Sequence, residues 1–156
     1  MTPRAVRAGA AGFSLPEVTL ALGLLAGLLI SICGLFVLSS NLVHGGRQRS
    51  SAVTMAENIL EETNAWTFRG LFERFGYDGS APSYVVDTRT NAAASGWQGE
   101  IAERLPSSHA EVVLESVAAG GSPPALRDAT CIRVSVRVHW KDDLKWREAT
   151  LTTVRM

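Results

Sequence analysis

Glu17 is the first residue whose type and place ask for chemistry. It is a carboxylate set directly against residues 18–43, a run of 26 residues without one charged side chain. An acid near a bilayer is expensive, about 2.5–3.5 kcal/mol at mid-membrane on insertion scales, so it usually has a partner. Two roles are open to it. Ser14, Leu15, Pro16 and Glu17 fit a capping box, with Ser14 as N-cap and Glu17 reaching back to free backbone donors. Pro16 then falls in the first helical turn, where its missing N–H costs little. Alternatively Glu17 pairs with a cation that only a neighbouring group or chain can supply.

The other reactive side chains are dispersed. His44, His109 and His139 stand far apart, and none has a second histidine or cysteine at metal-ligand spacing. His139 alternates with apolar residues and reads as a surface residue. Asp142 and Asp143 are too few ligands for calcium. Cys33 lies in the apolar run and Cys131 in a strand-like segment, and a disulfide would have to join a bilayer interior to a folded head. Both read as small buried apolar residues. No nucleophile-elbow, HExxH, phosphate-loop or dinucleotide pattern occurs. The expectation is no catalytic residues, no metal and no cofactor.

The elements that must position Glu17 begin with the apolar run. As a helix, 26 residues extend about 39 Å against a hydrocarbon core of about 30 Å. The run is longer than the apolar stretch of a cleavable secretory signal. Arg4 and Arg7 precede it, which directs the N-terminus to the cytoplasm. Arg47 and Arg49 follow it, but a long C-terminal part translocates largely regardless of charge. Gly23 and Gly27 form a GxxxG pair that suits close packing against other spans.

Gly12, Phe13 and Glu17, after a short basic leader and before a long apolar run, resemble the class III signal of type IV pilins and type II secretion pseudopilins. The resemblance implies that a prepilin peptidase cuts after Gly12 and that Phe13 becomes the N-methylated first residue. Glu17 would then be the fifth mature residue, the acid that aligns subunits in a helical filament. Pro16 departs from the commonest pattern. A cut at Gly12 also supplies the missing cation, the new Phe13 amine, on the same or a neighbouring chain. Shielded from water in a filament, such a pair attracts far more strongly than on a surface.

The rest of the chain should form an exported head. Ala52, Val53, Ala56, Ile59, Leu60, Thr63 and Trp66 recur at spacings of three and four, with Glu57, Glu61 and Glu62 opposite. This amphipathic segment, residues 47–68, suits the second half of a long helix, with Gly45 and Gly46 loosening the chain before it. "FGYDGSAPS", "NAAASGWQG" and "AAGGSPPALRD" read as loops. Strands are expected near residues 84–88 and 110–117. In "TCIRVSVRVHW", Ile132, Val134, Val136, Val138 and Trp140 alternate with polar residues, a strand with one buried face. It should pair with "WREATLTTVRM" as an antiparallel hairpin, with Trp140 and Trp146 near the turn and able to pair across strands.

The expected fold is therefore α+β and pilin-like: a long N-terminal helix, half membrane and half amphipathic, packed on a small antiparallel sheet. The expected organisation is a leader over residues 1–12, a transmembrane helix over 13–46 and a head over 47–156. The charge is balanced at 15 basic and 15 acidic residues, and loss of the leader leaves 13 against 15. Neither count suits a nucleic-acid partner. The C-terminal hairpin, the small head and the missing family disulfide resemble minor pilins of the V type or minor pseudopilins of the I type. The resemblance implies a non-enzymatic filament subunit in the bacterial inner membrane, N-terminus cytoplasmic and head periplasmic. Its partners would be the prepilin peptidase/N-methyltransferase, other pilin or pseudopilin subunits and an inner-membrane assembly platform. The rival from another class is a single-pass anchored periplasmic binding protein that joins no filament.

Overall fold

A computed structural model of the chain describes residues 12, 14–118, 120–142 and 145–156. The leader up to residue 11, Phe13, and Asp143 of the acidic pair lie outside the described residues. The chain divides into two units, one ending at Val43 and one beginning at His44. The helix α1 (Leu15–Asn64) has residues in both, and Gly45 and Gly46 keep helical geometry. Glycine weakens a helix by roughly 1 kcal/mol relative to alanine, which is too little to break it here.

In the second unit, α1 buries Ala52, Met55, Ala56, Ile59 and Thr63, spaced at three and four as a core-facing stripe requires. Val53, Leu60 and Trp66 are half-buried beside it, and Glu57 and Glu61 are exposed on the far side, but Glu62, expected with them, lies at the edge of the stripe beside Met55 and Ile59. Met55 joins the stripe although the expected set omits it. The helix stops at Asn64, short of the expected 68. Arg155 helps to end it by donating from Nη1 to the carbonyl oxygens of Thr63 at 3.2 Å and Trp66 at 3.0 Å, which serves acceptors that a helix C-terminus leaves unpaired.

Four strands follow: β1 (Ser83–Asp87), β2 (His109–Ser116), β3 (Ile132–Asp142) and β4 (Lys145–Arg155). They pair in sequence order, each antiparallel to the next. Ile132, Val134, Val136, Val138 and Trp140 are all buried, as the alternation requires, and join Val86, Val112 and Leu114 in one core with the α1 stripe. Each fully buried aliphatic side chain contributes about 1.5–3 kcal/mol. The fold is thus a long helix packed on a four-stranded antiparallel sheet, an α+β arrangement.

Two further expectations are corrected. "NAAASGWQG" is not a loop: a 3-10 turn at Ala92–Ala94 leads into α3 (Ser95–Arg104). Asn91 starts it by accepting from the Ala93 N–H at 3.0 Å. Gly96 and Gly99 depress local helix propensity, but both are exposed, while Trp97 is half-buried and Ile101 fully buried. Packing outweighs propensity there. Trp140 and Trp146 do not pair across the hairpin. Trp140 lies opposite Arg147, and Trp146 opposite Lys141, so the two indoles take opposite faces.

A short helix α2 (Gly70–Glu73) buries Leu71 and Phe72. Gly79 lies beside it at φ +73°, and a Cβ there would come within 2.8 Å of the Phe72 ring. Only glycine suits both demands. Behind α3, Thr88 donates to Gln98 Oε1, and Gln98 Nε2 donates to the Ser108 carbonyl at 2.9 Å. The Ala110 N–H donates to Thr88 Oγ1 at 3.0 Å, so the buried hydroxyl is matched as interior polar groups must be.

Candidate functional site

The first helical turn places Glu17. Ser14 stands just before α1, and its carbonyl accepts from the N–H groups of Glu17 at 3.0 Å and Val18 at 3.2 Å. Pro16 is the second helical residue, where no intrahelical donor is needed. Thr19 returns its hydroxyl to the Pro16 carbonyl at 2.9 Å. Glu17 therefore sits in the first turn, at the positive end of the helix dipole. It borders the surface formed by Val18, Ala21, Leu22 and Leu25. Among the described residues it has no ion-pair partner.

Every described residue from 14 to 43 is exposed, leucines, isoleucines and Phe36 included. That first part of α1 is long and apolar enough to cross a membrane. Gly23 and Gly27 lie on it with open space around both: a Cβ at either would meet nothing within 4 Å. Ser31 closes its own hydroxyl onto the Gly27 carbonyl at 2.9 Å, so it presents no unmatched donor there. Gly12 precedes the helix and is exposed. Phe13, the residue expected to carry the new N-terminus, is outside the described residues.

The sheet assembles a second group that spacing along the chain does not reveal. Register sets His109 opposite His139 and His139 opposite Glu148, on the face turned away from the buried valines. Glu111 is two residues along β2 on the same face. Asp87 and Arg89 form an ion pair nearby, and Arg89 holds the Asp87 carboxyl below the usual carboxylate range. Cys33 and Cys131 are both free thiols, and neither is buried as expected: Cys33 is exposed on the apolar part of α1 and Cys131 is half-buried just before β3.

No protein-family model matches the chain, and neither a characterised protein nor a solved structure does so significantly.

Proposed function

We propose that the chain is a non-enzymatic prepilin-type subunit, cut after Gly12, N-methylated on Phe13, and assembled through its N-terminal helix into a type IV pilus or a type II secretion pseudopilus. The observation that carries this reading is Glu17 in the first turn of a helix whose apolar surface is wholly uncovered through residue 43. Lipid or other helices must cover that surface. An acid at its start needs a cation that cleavage before Phe13 would create. The alternation of a helix with a four-stranded antiparallel sheet is compatible with a pilin-like head, and the small head with a minor subunit.

In this reading the chain begins as a single-pass inner-membrane protein with a cytoplasmic N-terminus and a periplasmic head. Prepilin peptidase acts first. Other pilin or pseudopilin subunits and the assembly platform then engage the helix, with Gly23 and Gly27 allowing close approach.

The test is N-terminal mass spectrometry of the chain recovered from its own cells. The expected first residue is N-methylated Phe13, and Gly12→Val should retain the leader. A native chain beginning at Met1 or Thr2 would instead make this an anchored protein that joins no filament.

A further inference from the structure

The outward face of the sheet holds an imidazole in an unusual position. His139 Nε2 is shielded from solvent and has no hydrogen-bond partner. It lies 3.8 Å from Glu111 Oε2, while Nδ1 of the same ring lies 3.8 Å from Glu148 Oε2. His109 stacks on His139 with ring centroids 4.9 Å apart. One donor atom each of His109, Glu111 and His139 falls within 4.8 Å of the other two.

A shielded ring nitrogen without a partner is costly. Neither acid stands within hydrogen-bond distance of the ring, so neither satisfies its nitrogens as placed, whereas a cation held at Nε2 would. Neutral imidazole is the metal-binding form.

We propose that His109, His139 and Glu111 bind a divalent transition-metal ion, Zn(II) by preference, while Glu148 holds His139 through its other ring nitrogen. Two imidazoles and a carboxylate suit zinc and leave a fourth position open for water or another ligand. Metal–ligand distances of about 2.0–2.2 Å require the donor atoms to close by roughly 1 Å, and because a metal binds in the plane of each imidazole, His109 must also turn out of its stack on His139, both by side-chain rotation on fixed strands. Glu148 Oε2 stands 3.8 Å from Nδ1 and must close onto Nδ1–H as the site forms, which selects the tautomer with its Nε2 lone pair toward the ion. The Asp87 carboxylate offsets the nearby Arg89 charge. The Trp146 ring packs nearly perpendicular to His109, centroids 6.1 Å apart.

The test is a Co(II) titration of the untagged full-length chain in detergent micelles, followed by Zn(II) displacement. One Co(II) should bind per chain with the visible absorption of a four-coordinate site, and Zn(II) should bleach it stoichiometrically. His139→Gln and His109→Gln should each abolish the signal. Glu148→Gln should weaken affinity about 10- to 100-fold, and His44→Gln should leave it unchanged. Circular dichroism checks the fold of every variant. Because His109 is half-buried and outside the core, His109→Gln decides the matter if His139→Gln does not fold. Absence of saturable binding in the wild type overturns the site, as does a signal that survives His109→Gln or is lost with His44→Gln.

Discussion

The indole N–H of Trp97 donates to Glu62 Oε2 at 2.7 Å, joining α3 to α1 at the edge of its buried stripe. The same indole stacks on Trp66, centroids 5.9 Å apart, and meets Phe75 edge-on at 6.0 Å. Arg74 lies over the other indole, 4.6 Å from the Trp66 ring centroid. A glutamate at the edge of the buried stripe of α1 thus becomes the anchor of an aromatic cluster. Trp97→Phe should keep the stacking and lose the hydrogen bond, costing about 1 kcal/mol in denaturant unfolding. Trp97→Ala should cost about 2–3 kcal/mol, less than a fully buried indole. Equal losses for the two variants would mean that the stacking contributes nothing.

Val136 is fully buried in the middle of β3, opposite Val112 on one side and Leu151 on the other. Val136→Asp should destabilise the fold by more than about 4 kcal/mol, because an unpaired charge enters a small core. Its neighbour Arg137 points outward and is exposed, so Arg137→Ala should stay within about 0.5 kcal/mol. Thermal unfolding of the pair reads the two faces of one strand. An unchanged melting temperature for Val136→Asp would reverse the assignment.

Acid should weaken the Asp87–Arg89 turn. The Arg89 side chain accounts first for the lowered Asp87 pKa, and it does so against the opposing effect of burial. The folded pKa lies below the ordinary value of 3.8. The unfolded chain therefore binds a proton first as pH falls, and the stabilisation present above that value is lost through the folded pKa. Melting temperatures from about pH 6 to about pH 2 should fall less steeply for Asp87→Asn than for the wild type. Parallel curves would show that the pair adds nothing to stability.

Glu17→Gln separates capping from filament pairing. Glutamine also serves at the third helical position of a capping box, so a pure cap would tolerate the change. A charge partner of the Phe13 amine would not. The variant should be cleaved normally and reside in the membrane, yet be poorly recovered with filament partners. Co-purification equal to wild type would leave Glu17 as a cap.

Several features were legible in the chain because they are local. A charge-free stretch declares its hydrophobicity residue by residue, so the exposed apolar part of α1 and the isolation of Glu17 need no knowledge of distant contacts. The alternation from Ile132 to Trp140 likewise fixes which side chains of β3 face inward, since successive residues of a strand point to opposite faces. The α1 stripe from Ala52 to Thr63 follows from helical periodicity in the same way.

Tertiary structure decided what depends on register and on packing against remote elements. Trp140 and Trp146 part to opposite faces because β3 and β4 align Trp140 with Arg147, and a shift of one residue would exchange those faces. Ser95–Arg104 becomes helical because Trp97 and Ile101 find an apolar surface that no local propensity announces. His109, Glu111, His139 and Glu148 meet only because three strands pair in one particular alignment. Linear spacing encodes a strand's two faces, but the neighbour across the sheet is set by the pairing of whole strands.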